Sequence, residues 1–396
     1  MKLSRSLLLA FLLLLGHVSG TREDGDRLLA ILASPRQTLN LYNTFKQSRV
    51  LSFSPAEEAL RFRIFKQNAQ FVAKLNKKDE EATFAVNFFS TMTDQEQNSW
   101  MGFNSSGHTR NPLPARTAPP TPPTNKLWTN EGAVTEVRNQ GSCGSCYTFS
   151  AVGALETRYH RISGVLRRFA EQEYLDCTYQ GRRGGGCGGG WMNDCYDYSM
   201  GQGGRLAAAK DYPYTARSKN CLGSGKPDAM ISARLTEHED VLGSEDSFIA
   251  ALAEGAVAVA IQASSRFRAY SSGVFSQHCN NHANHAVTAV GYTPDYILLK
   301  NSWGGEWGDR GFVRVSRGGG YSCHMYDYAS FPVLSETGVE DGEEADTATE
   351  YVSPEPAPVC KDVYRTQECQ RRRKKERCVE EKTAEMCALT CGGCVA

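Results

Sequence analysis

The chain of 396 residues predicts an α+β fold, and three observations carry that prediction. Apolar residues at three- and four-residue spacings run from Leu28 to about Phe103, and a strong helical pattern opens at Cys146. Strand-like runs at 256–261, 286–292, 296–300 and 311–315 all come later, so helices precede strands. The length itself predicts more than one domain.

At the N-terminus, Lys2 and Arg5 precede an unbroken apolar run from Leu7 to Leu15, and Val18-Ser19-Gly20 supplies small residues of the kind signal peptidases accept. Residues 1–20 therefore predict a signal peptide and entry into the secretory pathway. The run is far shorter than the roughly 20 apolar residues a bilayer crossing needs, and no other stretch reaches that length, so no membrane span is expected. Residues 27–103 predict a small helical domain. Within it Glu57, Arg61, Phe65, Asn68, Val72 and Asn76 recur at intervals of four, four, three, four and four, one face of a helix. Residues 104–125 hold Pro112, Pro114, Pro119, Pro120, Pro122 and Pro123, the composition of an extended linker open to proteases. The long helix and the strand runs fall in 126–334. An acidic linker, 335–359, carries eight acidic and no basic side chains. Residues 360–394 then pack six cysteines into 35 positions, too few to sustain a core without covalent staples.

A formal net charge of zero and a pI of about 7.0 offer nucleic acid no basic field, and no nucleic-acid partner is expected. Fourteen cysteines behind a signal peptide predict disulfides formed in an oxidising compartment.

Three segments carry chemistry. Gln140-Gly-Ser-Cys143-Gly-Ser-Cys146-Tyr147 opens the long helix, Asn284-His285-Ala-Val-Thr-Ala-Val-Gly-Tyr follows far downstream, and Lys300-Asn301-Ser-Trp303-Gly-Gly-Glu-Trp307-Gly comes last. A thiol with a pKa near about 8.5 is mostly protonated at neutral pH, and a helix N-terminus with a neighbouring imidazolium can lower it by several units. Cys146 sits where such help is available. These segments resemble the papain and cathepsin L family of cysteine peptidases, and the resemblance covers nearly all of 126–334.

That resemblance implies a two-lobed fold, one lobe helical and one β-barrel-like, and a cysteine endopeptidase acting on polypeptide substrates without metal or cofactor, as a monomer, outside the cell or in lysosomes and endosomes. Cys146 is then the nucleophile, His285 its base, and Asn301 the residue that orients the imidazole. Gln140 and the Cys146 N–H bind the oxyanion, at about 3 kcal/mol per donor. Gly190 is the backbone partner of an extended substrate, paired antiparallel. The pocket for the second residue before the scissile bond (P2) is lined by Trp191, Met192, Ala260, Ala283 and Tyr328. Trp303, counted with the substrate-contacting residues, shields the Asn301 contact. Tyr328 is expected to shorten the pocket and favour compact aliphatic P2 residues.

By the same resemblance, Cys143 pairs with Cys187, Cys177 with Cys221 and Cys279 with Cys323, leaving Cys195 over, as a free thiol packed in the core or a site of intermolecular pairing. The six-residue helical face resembles the family's inhibitor prodomain, which makes the chain a zymogen cut between about 110 and 126. Ala85-Val-Asn87-Phe-Phe89-Ser-Thr91 resembles a second prodomain motif, with Ala85 for Gly and Thr91 for Asp; the lost carboxylate predicts a shallower release by acid. Tyr147 stands where most relatives have Trp, and Leu127 where an Asp is usual. Asn104-Ser-Ser106 fits a glycan acceptor. The C-terminal cysteines resemble a small domain named for a sea-anemone potassium-channel toxin (ShKT), pairing Cys360 with Cys394, Cys369 with Cys387 and Cys378 with Cys391. Lys382 is followed by Thr383 instead of the toxin's Tyr, so the resemblance implies an interaction module with a protein or glycan ligand instead of a channel blocker. The alternative to an enzyme is a non-enzymatic binding or toxin-like protein acting through this tail.

Overall fold

A computed structural model describes residues 22–338 apart from 80, 105–121, 179–184, 242–243, 278, 280–281 and 319–322. The signal peptide, the glycan tripeptide beyond Asn104, most of the Pro-rich linker and the tail with its three cysteine pairs lie outside the described residues.

Three helices, Arg22–Ala33, Pro35–Ser48 and Pro55–Lys78, begin the described chain. Pro35 and Pro55 stand in the first turn, where a missing N–H costs nothing. Ser34 and Ser54 occupy the caps, the latter in a capping box with Glu57. The spaced face of the third helix explains its own residue types. Phe65 and Val72 are buried, whereas the polar members reach the chain that follows. Arg61 bonds Thr91 O (3.0 Å) and Glu96 (2.6 Å), Asn68 Nδ2 donates to Ser90 O (3.0 Å), and Asn76 bonds Phe84 through both N–H and C=O (2.8 and 2.9 Å). The helical expectation fails for the rest of this stretch. It holds a strand, β1 (Ala82–Phe84), a 3-10 turn at Phe88–Thr91 and a short helix at Asp94–Asn98. Asn76 and Asn68 hold that chain in place of a continuing helix.

The remaining strands are β2 (Lys126–Leu127), β3 (Ala233–Val241), β4 (Val257–Ile261), β5 (Tyr270–Phe275), β6 (His285–Tyr292), β7 (Tyr296–Lys300), β8 (Phe312–Ser316) and β9 (Ala329–Glu336). Their order is β1-β5-β8-β7-β6-β4-β9-β3, with β2 on β6. Every residue of β6 is buried, which is why it reads as an unbroken apolar run. β1 belongs to the N-terminal domain yet pairs antiparallel with β5, Ala82 opposite Gly273, so that domain adds a strand to the sheet.

The helix Cys146–Ser163 is buried from Cys146 to Tyr159 and ends at Gly164 in the left-handed conformation. It packs against β6, β4 and β9 on one side and the helices Glu171–Cys177 and Met192–Gly201 on the other. Two cores result. One gathers Tyr147, Leu155, Tyr174 and Tyr196 among the helices, and the other joins the sheet to the N-terminal domain through Phe65, Phe89, Trp303 and Trp307. Disulfides join Cys143–Cys187, Cys177–Cys221 and Cys279–Cys323, and Cys195 is buried and free. Among the described residues, no helix is long and apolar enough to cross a membrane.

Candidate active site

Cys146 opens its helix and His285 opens β6, so the two lobes bring nucleophile and imidazole together at one cleft. Asn301 follows the last residue of β7. Its Oδ1 accepts the Ser302 N–H (2.8 Å) and lies 2.8 Å from His285 Nε2. The Ser302 donor fixes which end of the amide is oxygen, so Nε2 carries the imidazole proton and Nδ1 is bare. Nδ1 makes no hydrogen bond, the state required of a base awaiting a thiol proton. The His285 ring stacks on Trp303 at 4.5 Å, and Trp303 is enclosed by Phe89, Phe267 and Trp307. Trp303 is 1 % exposed in this zymogen, covered in part by Phe89 of the N-terminal domain, and shields the His285–Asn301 bond from water.

The cleft is occupied by the chain's own residues 100–104. Gln140 Nε2, the expected oxyanion donor, bonds Trp100 O at 2.9 Å and Cys143 O at 2.9 Å. Gly102 N–H and Ala286 N–H each donate to Cys146 Sγ at 3.3 Å. Gly190 donates to Gly102 O (2.9 Å) and accepts from Asn104 N (3.2 Å), and Phe103 pairs with Gly190 in the parallel sense. A substrate paired antiparallel on Gly190 would offer its carbonyl carbon to the thiol, whereas this strap runs the other way and offers an N–H. It fills the site with its Gly102 N–H toward Cys146 Sγ and its Trp100 carbonyl on Gln140. Gly102 is what lets it lie so close, because a Cβ there would stand 1.8 Å from Gly144 O.

Phe103 is 8 % exposed, with ring contacts to Tyr328 (5.1 Å) and Trp191 (6.2 Å). It shares an apolar cluster with Met192, Ala260 and Ala283. In the zymogen, the cluster of residues expected to form the P2 pocket thus packs around the Phe103 ring. Tyr147 lies under Gly190, its ring about 3 Å from where a Cβ would be, which explains the glycine.

Electrostatically the sealed site differs from the thiolate–imidazolium expectation. Burial pushes the Cys146 thiol up to about 11, against the Ala286 and Gly102 N–H groups. Burial also pulls His285 down to about 4, against its Asn301 bond. With the strap in place the pair is neutral.

Sequence reasoning missed the strap. Its signal is local, a glycine and an aromatic at the end of the helical domain, immediately before the Pro-rich linker. It also missed a buried cluster of Arg138, Glu156, Glu171 and Lys300 behind the site, where Arg138 lies 2.6 Å from Glu156 and 2.7 Å from Glu171. Isolated charges inside apolar runs were the available hint. Among the described residues no group of His, Cys, Asp and Glu is placed to hold a metal ion.

Comparison with known proteins agrees with this geometry. Residues 122–333, more than half the chain, match the papain family cysteine protease model, and 42–97 match the cathepsin propeptide inhibitor domain (I29). Digestive cysteine proteinase 3 of Homarus americanus is 38 % identical over 291 residues, covering 70 % of this chain and 89 % of the relative. The proform of the ragweed pollen cysteine protease Amb a 11 superposes with a TM-score of 0.69 at 29 % identity, over 77 % of this chain and 95 % of the other. Digestive procathepsin L 3 of Tenebrio molitor superposes with a TM-score of 0.65 at 33 % identity, over 75 % and 99 %. With its cleft, its sealed cysteine and its strap accounted for, the chain belongs to the papain family of cysteine proteases, as a zymogen carrying its own propeptide inhibitor domain.

Proposed function

We propose that Cys146, His285, Asn301 and Gln140 perform peptide-bond hydrolysis once residues 100–104 leave the cleft. Exposure of the pair to water removes the burial that keeps it neutral, and the Cys146 proton passes to His285 Nδ1. The thiolate attacks the carbonyl carbon, and Gln140 Nε2 with the Cys146 N–H holds the oxyanion. His285 returns the proton to the leaving amine, then activates the water that hydrolyses the acyl-enzyme. The observation that carries this reading is the bare Nδ1 of His285, its proton held on the other nitrogen by Asn301.

The Phe103 contacts support polypeptide substrates with an aromatic residue at P2, in a pocket of Trp191, Met192, Ala260, Ala283 and Tyr328, and Gly190 as the backbone partner. Domain bounds follow the sequence: a prodomain over 27–103, cleavage between about 110 and 126, a peptidase domain over 126–334, and a disulfide-stapled ShKT-like interaction module at 360–394 for a protein or glycan ligand. The monomer works outside the cell or in an endolysosomal compartment.

The test is labelling of the acid-treated protein with an epoxysuccinyl inhibitor, with mass spectrometry to locate the adduct. An adduct confined to Cys146 and absent from Cys146→Ala is expected. No adduct after prodomain removal would sink the assignment.

A further inference from the structure

We propose that the buried charges behind the site form a positioning unit, with Lys300 its working member, that holds Asn301 in line with His285. The inference rests on the catalytic reading above. Lys300 and Asn301 are consecutive at the end of β7. The Lys300 ammonium donates to Thr135 Oγ1 at 2.7 Å, and Thr135 donates to Glu156 Oε2 at 2.5 Å. Glu156 stands on the helix that Cys146 opens. The run Lys300–Thr135–Glu156 therefore ties the strand that carries the orienting asparagine to the helix that carries the nucleophile, across the junction of the two lobes.

Asn301 needs that anchor. Its Nδ2 is buried and makes no hydrogen bond, so the amide is held through Oδ1 alone. Beside it lies a cavity of about 10 Å³, water-sized, lined by Arg138, Ser150, Thr288, Lys300, Asn301 and Ser302. No side chain is hydrogen-bonded to Nδ2, and the backbone is held by the Asn301 N–H donating to Gly311 O (3.0 Å) and by Lys300 before it. The remaining charges keep Lys300 in place. Arg138 bridges Glu156 and Glu171, so two cations and two carboxylates, none more than 8 % exposed, balance one another. Glu136 with Arg168 forms a further pair, at 2.8 Å. An apolar residue at 300 would leave Glu156 and Glu171 with Arg138 alone and so cost stability as well, which is why the test reads kinetics apart from Tm.

The experiment measures steady-state kinetics of the activated full-length protein carrying Lys300→Met. A displaced asparagine lowers kcat by about tenfold while KM stays within about twofold, because positioning acts on the transition state. Lys300→Arg, which keeps the donor, restores most of that loss. A folded Lys300→Met with unchanged kcat, whatever its Tm, overturns the proposal. Should Lys300→Met fail to fold, Thr135→Val, which breaks the Lys300–Thr135–Glu156 run while keeping all four charged residues, is read by the same criterion. Wild-type protein that does not label at Cys146 sinks the catalytic reading and this inference together. Active wild-type protein with equally active variants sinks this inference alone.

Discussion

Two sets of polar groups are buried against the same helix, and they differ in the partners that burial leaves them. Cys146 and His285, both 0 % exposed, lose their charges, the thiol rising to about 11 and the imidazole falling to about 4. Arg138, 8 % exposed and flanked by two carboxylates, is held above its ordinary value by Glu156 and Glu171, which outweigh the pull of desolvation. The difference lies in partners. Cys146 receives only backbone N–H groups, from Gly102 of the strap and Ala286 of β6, and His285 only the Asn301 amide, whereas each cluster carboxylate has a guanidinium within hydrogen-bond distance. Burial drives an unpartnered group toward neutrality, and in the cluster it also raises Glu171 to about 7 and lowers Lys300 to about 8 against their ionic partners, while Arg138 stays charged. The first set is covered by a removable strap and the second by the fold itself.

Breaking the partnered set gives the largest expected effect. Glu156→Gln leaves Arg138 and Lys300 with an uncompensated charge in the interior and should cost about 3–5 kcal/mol in denaturant unfolding of the zymogen. A cost below about 1 kcal/mol would mean the cluster is not held by its pairing.

Acid should sharpen the comparison from the other side. A buried His285 depressed from 6.5 to about 4 contributes stability to the sealed state above pH 6.5, and that stability is lost as pH falls toward 4. At about 1.4 kcal/mol per unit, the loss by pH 4 is roughly 3 kcal/mol. Protection factors of the amides in 100–104, normalised to intrinsic exchange at each pH, should fall across that window, and His285→Gln should flatten the profile. Glu96, held down to about 2 mainly by its Arg61 hydrogen bond, adds a second loss only as pH falls from 4.5 toward 2. The carboxylate missing at Thr91 is therefore not the only acid sensor available to this prodomain.

A smaller effect comes from loosening the strap directly. Gly102→Val places side-chain atoms against Gly144, an overpacking cost of about 1–3 kcal/mol, so epoxysuccinyl labelling of the intact zymogen at neutral pH should run roughly 10- to 100-fold faster. Unchanged labelling would place the inhibition in contacts other than 100–104.

Legibility in the sequence followed the same division between local and distant causes. β4, β6, β7 and β8 announce themselves as apolar runs, and Cys146, His285 and Asn301 stand in contiguous segments whose chemistry is readable residue by residue. β3, Ala-Arg-Leu-Thr-Glu-His-Glu-Asp-Val, escapes because its charged residues disfavour strands until β9 pairs with it, and β9 itself is interrupted by Pro332. β5 is masked by its serines and Gly273, a glycine needed because Glu81 O approaches to 2.1 Å of a Cβ position. Glu156 in its apolar run reads alike whether partnered or not, since Arg138 and Lys300 arrive from elsewhere in the chain. Nothing periodic marks Gly102, whose role appears only when the backbone crosses Cys146.

The backward passage of the strap has a kinetic consequence. While the Gly102 N–H caps Cys146 Sγ the thiol cuts nothing, its own 110–126 segment included, so a copy that stays sealed is processed only by one already open. Conversion is then second order in protein: a fresh zymogen population should wait through a lag, shorter at higher concentration and abolished by a trace of mature enzyme, before activity rises sigmoidally.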